Sequence, residues 1–157
     1  MKDKKTILTY NQALERSEKY CAYQERCQSE VRNKLYEWGL HSKEVESAIA
    51  ELISNGFINE ERFAKAFTSG KFRIKQWGRI KIRYMLSMER VNHSLIDQAL
   101  AEIDEELYAD SPQNLLQKKT RELKSESNPF NKRQKLIKFA QGRGFEVDLI
   151  LKMLKEI

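Results

Sequence analysis

Apolar residues recur three and four positions apart along most of this 157-residue chain, which is the spacing of one face of an α-helix. The pattern predicts helices over residues 11–23, 29–38 and about 42–54. A glycine and then an apolar residue follow the second and third helices, Gly39 with Leu40 and Gly56 with Phe57. This pair ends a helix because glycine readily adopts the left-handed conformation. No segment alternates apolar and polar residues as a strand does, so we predict an all-α fold.

The apolar pattern of the first helices returns twice, shifted by 51 and then by a further 54 residues. The matching positions are all apolar: Val31, Leu35, Leu40, Val45, Ala48 and Ile49; then Ile82, Leu86, Val91, Ile96, Ala99 and Leu100; then Leu136, Ala140, Phe145, Ile150, Met153 and Leu154. Three helical units of about fifty residues are therefore predicted. Units of this kind stack end to end, so we expect an elongated body that can curve, and not a sphere.

The unit boundaries follow from composition. We expect an N-terminal tail at 1–10 and helical repeats at 11–57, 58–103 and 115–157. Between the last two lies an acidic run that ends at Pro112, and it predicts a connection or hinge over 104–114. In the third repeat Pro129 interrupts the helical pattern, and a basic helix is predicted over 132–141.

Positive charge is concentrated in the second unit. The chain carries 29 Lys and Arg against 23 Asp and Glu, a formal net charge of +6, and residues 71–83 (KFRIKQWGRIKIR) contain six cations and no acid. A helix over 78–89 places Arg79 and Arg83 one turn apart on one face, with Arg90 continuing the line. Such a row suits phosphates or the carboxylates of a partner protein. The candidate binding residues are Lys71, Arg73, Lys75, Arg79, Lys81, Arg83 and Arg90, and a secondary basic surface comprises Lys132, Arg133, Lys135, Lys138 and Arg143.

The aromatic residues of this stretch, Phe72 and Trp77, could stack on the bases of a single strand. Their place in the helical pattern favours burial in the core instead.

Residues with catalytic or metal-binding spacing are missing from the sequence. Cys21 and Cys27 stand six apart without accompanying histidines, so we expect free thiols in a reducing cytosol and no metal site. His41 and His93 each precede a predicted helix, and no phosphate-binding glycine loop is present. The N-terminal residues lack a long apolar run, so we expect neither export nor membrane insertion. These observations predict a cytoplasmic protein that is not an enzyme and needs no cofactor.

Three segments resemble the central signature of the RecX family of regulatory proteins: GFINEERFA at 56–64, KQWGRI at 75–80 and IDQAL at 96–100. Residues 30–35 with Gly39, and RGF at 143–145, are similar to the flanking elements of that family. The resemblance runs from about residue 11 to the C-terminus and implies three tandem three-helix repeats. One position departs from it, because Arg90 stands where a glycine is common, and we expect the turn there to adopt the left-handed conformation less readily.

The resemblance also implies a function. Family members bind the helical groove of the RecA recombinase filament on single-stranded DNA. They hinder its ATPase, strand-exchange and coprotease activities, so that they restrain homologous recombination and the SOS response. It implies a monomer whose partners are the RecA filament and single-stranded DNA, bound directly or through the filament, with no membrane partner.

Two other functions are compatible with the residues. A stand-alone DNA-binding helical repeat would place the same basic row on phosphates, and its affinity would fall steeply with salt. A helical adaptor would bind a protein through the apolar groove between units, and its positive charge would serve solubility.

Overall fold

The computed structural model describes residues 7–156, and this part of the chain folds into helices and connecting turns without strands. Taken three at a time the helices make three repeats, so the predicted all-α array of three-helix units is confirmed. Their bounds are α1 Tyr10–Tyr23, α2 Gln28–Glu37, α3 Ser42–Ser54, α4 Glu60–Arg73, α5 Arg79–Met88, α6 His93–Ala101, α7 Glu105–Glu122, α8 Pro129–Gly142 and α9 Val147–Glu156. None of them has the length and apolar character needed to cross a membrane.

Short polar side chains begin several helices. The Thr9 hydroxyl accepts from the Gln12 amide at 3.2 Å, while the Gln12 side chain accepts from the Thr9 amide at 3.0 Å. Asn59 accepts from the Arg62 amide at 2.9 Å and thereby caps α4. These contacts satisfy backbone donors that the first turn of a helix leaves unpaired.

The predicted connection over 104–114 is wrong, because α7 begins there. Asp104 caps the helix by accepting from the Leu107 amide at 2.9 Å, and the acids of the first turn lie at the positive end of the helix dipole. Pro112 lies inside α7 and cannot donate to the carbonyl of Tyr108. The Ser111 hydroxyl donates to that carbonyl at 2.7 Å instead, so the helix continues through the proline.

Helix α8 begins three residues before the predicted basic helix. Pro129 occupies its first turn, where the missing amide hydrogen costs nothing, and the Asn128 side chain accepts from the amides of Phe130 and Asn131. The proline therefore starts this helix instead of only breaking the pattern before it.

The turn between α5 and α6 keeps the same geometry as its counterparts although Arg90 replaces glycine. Arg90 has φ +60°, and Gly39 has φ +96° in the first repeat. The amide of Val91 donates to the Leu86 carbonyl at 3.1 Å, as Leu40 donates to Leu35 at 3.2 Å. Arg90 therefore adopts the left-handed conformation at a cost of about 1 kcal/mol, and the shape of the turn does not change.

The buried residues form two cores. The repeat positions predicted from the sequence are buried, except that Leu154 is only half-buried. The first repeat encloses its own cluster around Val31, Leu35 and Leu52, whereas the second and third share one cluster that includes Ile82, Leu86, Leu116, Phe145 and Ile150. The second and third repeats are therefore joined by apolar packing.

Cys27 of the first repeat packs into the cluster of the second and third, and polar contacts also join the first repeat to the second. The Gln28 amide donates to Glu60 at 2.8 Å, the Ser29 hydroxyl donates to Glu89 at 2.6 Å, and Arg62 pairs with Glu25. The accessible surface of the protein is 10389 Å², whereas a compact protein of this size exposes about 8,200 Å². The larger value agrees with units arranged in an elongated body.

Backbone contact fixes the third repeat against the second. The Gly78 amide, at the start of α5, donates to the Arg143 carbonyl at 2.7 Å, and the Ile80 amide donates to Gly144 at 3.0 Å. A Cβ atom added to Gly78 would lie under 3.0 Å from backbone atoms of Gly144 and Phe145. The absence of a side chain at Gly78 therefore permits this close approach.

Candidate partner-binding surface

The predicted basic residues lie around the end of α4, the α4–α5 turn and helix α5. Lys71 and Arg73 are in the last turn of α4, and Lys75 is in the turn. Arg79, Lys81 and Arg83 lie on α5, and Arg90 follows that helix. Arg73, Lys75, Arg83 and Arg90 are exposed, while Lys71, Arg79 and Lys81 are half-buried.

Arg79, one of the predicted binding residues, does not stand free on the surface. Its Nη2 atom lies 2.9 Å from the Glu105 carboxylate, its guanidinium lies 4.0 Å from the centre of the Tyr108 ring, and 27% of its side chain is exposed. Arg79 therefore holds α7 against α5. Arg83 is more exposed, but its Nη1 atom pairs with Asp97 of α6 at 2.7 Å. Two of the three arginines of the predicted row, Arg79 and Arg83, are thus matched by acids of the same chain.

The five other predicted residues around the α4–α5 turn and α5 lack an acid partner in the described part of the chain. Within residues 7–156, no carboxylate lies in ion-pair distance of Lys71, Arg73, Lys75, Lys81 or Arg90. The Nζ atoms of Lys71 and Lys81 lie 4.9 and 4.4 Å from the centre of the Trp77 ring. Positive charge available to a partner therefore surrounds the α4–α5 turn, and less of it lies along α5.

The two aromatic residues pack inward, as predicted. Trp77 is half-buried and meets Phe67 edge to face, with 6.4 Å between ring centres. Phe72 lies 5.9 Å from Tyr108. Their faces are used by the core and by neighbouring lysines, so neither is displayed as an open platform for a base.

The α4–α5 turn is held in an unusual conformation. Gln76 is exposed and has φ +57°, a region that side chains rarely adopt. The turn is closed by the Trp77 amide, which donates to the Lys71 carbonyl at 3.0 Å, and by Arg143, whose Nη1 donates to the Lys75 carbonyl at 3.0 Å. Strain that the surrounding structure maintains is a frequent feature of binding segments.

The secondary basic surface is divided by the structure. Lys135 pairs with Glu126 at 2.6 Å, while Arg133 and Lys138 are exposed and Lys132 is half-buried. Arg143 contacts the Lys75 carbonyl and therefore adjoins the α4–α5 turn. The four other residues lie along α8.

Tyr108 is a central residue of this region that sequence reasoning missed, because it lies in the segment interpreted as a connection. Its side chain is buried, its hydroxyl accepts from the Arg79 amide at 3.0 Å, and it donates to Glu146 at 2.7 Å. Burial raises the pKa of Tyr108 well above its usual range, so the hydroxyl keeps its proton. Tyr108 thus connects α5, α7 and the start of α9.

Helix α5 also displays an apolar stripe. Ile80, Tyr84 and Met88 follow each other at intervals of one turn and are 56%, 61% and 64% exposed. Beside them is an open concavity of about 440 Å³ that includes Arg83 and Glu146. Exposed apolar rows of this kind occur at protein-protein contacts.

The two cysteines are buried free thiols. Burial raises the pKa of Cys21 to about 11 and that of Cys27 still higher, so both are protonated at neutral pH. The Sγ atom of Cys27 lies 3.2 Å from Glu30 and 3.3 Å from Glu89. These three side chains are the group best placed to hold a metal ion in the described part of the chain, and the protonated thiol serves there as a hydrogen-bond donor.

Three family models match the chain, one for each repeat. They are RecX, first three-helix domain, over residues 13–52, RecX, second three-helix domain, over residues 59–100, and RecX, third three-helix domain, over residues 113–154. The chain therefore belongs to the RecX family of regulatory proteins.

Individual relatives agree with this assignment. The regulatory protein RecX of Clostridium perfringens (strain 13 / Type A) is 32% identical over 124 residues, which make up 78% of this chain and 58% of that protein. That of Chlorobaculum tepidum is 30% identical and covers 81% of this chain and 76% of its own length. The chain spans about three-fifths of the clostridial relatives it matches, 58% in C. perfringens and 61% in Clostridium botulinum (strain Alaska E43 / Type E3).

Two solved structures share the fold. The crystal structure of RecX from Lactobacillus salivarius superposes with a TM-score of 0.79 at 22% identity and covers 94% of this chain and 95% of its own. A crystal structure of a regulatory protein RecX gives a TM-score of 0.83 at 24% identity, covering 94% of this chain and 72% of its own.

Proposed function

We propose that this chain is a cytoplasmic, monomeric regulator of the RecA recombinase, without enzymatic activity of its own. It binds in the groove of the RecA filament on single-stranded DNA and lowers ATP hydrolysis, strand exchange and coprotease activity. In this way it restrains homologous recombination and the SOS response. Membership of the RecX family supports a regulatory role.

The observation that carries the proposal is the combination of surfaces on the middle repeat. Exposed cations surround the α4–α5 turn, and the apolar stripe Ile80, Tyr84 and Met88 lies on the helix that follows. A nucleoprotein filament offers both kinds of partner in its groove, a phosphate backbone and protein side chains. An elongated array of helical repeats provides the long contact surface that such a groove requires.

The test is the DNA-dependent ATP hydrolysis of the cognate RecA with the chain added in stoichiometric amount. We expect a marked fall in the rate of hydrolysis. Tyr84→Ser with Met88→Ser removes two of the three apolar residues of the stripe and should weaken inhibition. Tyr36→Ser changes an exposed aromatic residue of the first repeat and serves as a control. An unchanged rate with the wild-type chain would refute the proposal.

The unpaired cations also favour a second candidate, a stand-alone DNA-binding repeat. Such a protein would bind single-stranded DNA with a strong salt dependence and would inhibit RecA only when DNA is limiting. Relief of inhibition by excess DNA, with RecA held constant, would identify this second function. Inhibition that persists in excess DNA would favour the filament regulator.

A further inference from the structure

Two lysines lie at the Trp77 ring, and two further cations, one of them from the third repeat, adjoin the same turn. We call Lys71, Lys75, Lys81 and Arg143 the Trp77 cluster. Across residues 7–156 none of the four forms an ion pair. The acids that line the concavity next to Lys71 and Lys75 are Glu25 and Glu30, and these already pair with Arg62 and Arg26.

Contacts within the fold hold Lys71, Lys81 and Arg143 in place. The ammonium groups of Lys71 and Lys81 both lie within 5 Å of the Trp77 ring centre, at 4.9 and 4.4 Å. Arg143 holds the turn through the Lys75 carbonyl at 3.0 Å, and its own carbonyl accepts from the Gly78 amide at 2.7 Å. Little freedom of the turn is therefore lost on binding, which favours affinity.

The cluster differs from the arginines of α5 in its electrostatics. Arg79 and Arg83 are matched by Glu105 and Asp97, and a ligand would have to displace these acids. The Trp77 cluster keeps its net positive charge, so it attracts a ligand that supplies several negative charges in a short length.

A phosphate backbone meets this requirement better than a protein surface does. It carries one charge at every nucleotide, whereas a protein partner would have to gather several unpaired carboxylates at one place. Three members of the cluster are lysines, whose ammonium groups act as point charges and donate to phosphate oxygens in many directions. The half-buried Trp77 does not offer a free face for stacking, so contact with bases contributes little.

We propose that the Trp77 cluster binds the sugar-phosphate backbone of single-stranded DNA, and that Arg79 and Arg83 do not contact phosphate. This inference rests on the proposed function, because it assigns the DNA contact within the filament complex. It also revises the predicted basic surface, because it adds Arg143 of the third repeat and removes Arg79 and Arg83 of α5.

The experiment measures binding of a fluorescein-labelled oligothymidylate to the full chain by fluorescence anisotropy over a series of salt concentrations. Each phosphate contact with a single strand contributes about 0.7 to the slope of log K against log salt. We expect Lys71→Gln, Lys75→Gln and Lys81→Gln each to reduce the slope by about that amount, and to weaken binding several-fold at low salt. Lys75→Arg keeps the charge and should restore both values.

Lys65→Gln is the matched control, because Lys65 lies on the same helix as Lys71 but pairs with Glu61 and Glu102. It should leave the slope unchanged. The inference would be overturned if the cluster variants leave the salt slope unchanged. It would also be overturned if the wild-type chain does not bind the oligonucleotide at low salt.

RecA ATPase assays with the same proteins separate this inference from the proposed function. Full inhibition by variants with unaltered slopes would leave the proposed function standing and remove the phosphate assignment. Lost inhibition by variants with unaltered slopes would also remove that assignment and would point to RecA carboxylates as the partner of the cluster. A wild-type chain that fails to inhibit RecA would refute the proposed function, and the salt slopes would still decide whether the cluster binds phosphate.

Discussion

Replacing Gly78 with alanine tests the close approach between the second and third repeats. Gly78 has φ −85°, which any residue adopts, so the substitution introduces no backbone strain. The new Cβ would lie under 3.0 Å from the carbonyl group of Gly144 and the amide of Phe145. These are backbone atoms, so no change of rotamer relieves the clash, and the two segments must move apart.

The expected cost follows from the contacts that this movement breaks. The hydrogen bonds from Gly78 to Arg143 at 2.7 Å and from Ile80 to Gly144 at 3.0 Å both cross the contact. Leaving a buried donor or acceptor unpaired costs about 1–3 kcal/mol. We therefore expect Gly78→Ala to lower the free energy of unfolding by about 2–5 kcal/mol.

Urea unfolding followed by circular dichroism measures this change. Gly142→Ala is a matched control, because a Cβ at that position in the last turn of α8 meets nothing within 4 Å. Alanine is the better helix former, so the control should be as stable as the wild type or more stable by up to about 1 kcal/mol. A Gly78→Ala protein within about 0.5 kcal/mol of the wild type would show that the close approach does not contribute to stability.

Three further substitutions test other parts of the structure. Leu86→Asp buries an unpaired charge at a residue with no exposed surface, at a cost of several kcal/mol, and should unfold the middle repeat; a helical, soluble product by circular dichroism would contradict the repeat alignment. Burial raises the pKa of Glu60 in the folded protein above its value in the unfolded chain. The protonated carboxyl therefore supports folding fully below the unfolded pKa, and this stability is lost as the pH rises through the folded pKa. Glu60→Gln should therefore raise Tm at pH 7, with a gain that shrinks towards acidic pH, and a gain that grows in acid would reverse our reasoning. Arg90→Gly removes the cost of a side chain at φ +60° and should stabilise by up to about 1 kcal/mol in urea unfolding, whereas a loss would mean that Arg90 makes a compensating contact.

Helices and core positions could be predicted from the sequence because both depend on local periodicity. Leu35, Leu86 and Ala140 are buried where the repeated pattern places them. The acidic segment was misinterpreted for the same reason, since composition alone does not show that Asp104 caps a helix or that Ser111 compensates for Pro112. The Asp104 cap and the Ser111 hydrogen bond depend on the positions of a few neighbouring atoms, which composition does not reveal.

The candidate binding surface was harder to predict because ion pairs join distant positions. Arg79 and Glu105 are 26 residues apart, and their contact requires α7 to return against α5. Helical spacing placed Arg79 and Arg83 on one face, but it does not reveal which charges are neutralised by other helices. Arg143 was assigned to another surface because it belongs to a different repeat.

The separate core of the first repeat has a consequence for how the protein opens. Polar contacts such as Gln28 with Glu60 and Ser29 with Glu89 join it to the rest, and Cys27 is the residue of the first repeat that packs into the shared cluster of the second and third. The first repeat can therefore detach while most of both apolar clusters stays covered. Detachment then costs less than unfolding, and water replaces the lost hydrogen bonds. We therefore expect the contact between the first and second repeats to open at a lower free-energy cost than the contact between the second and third.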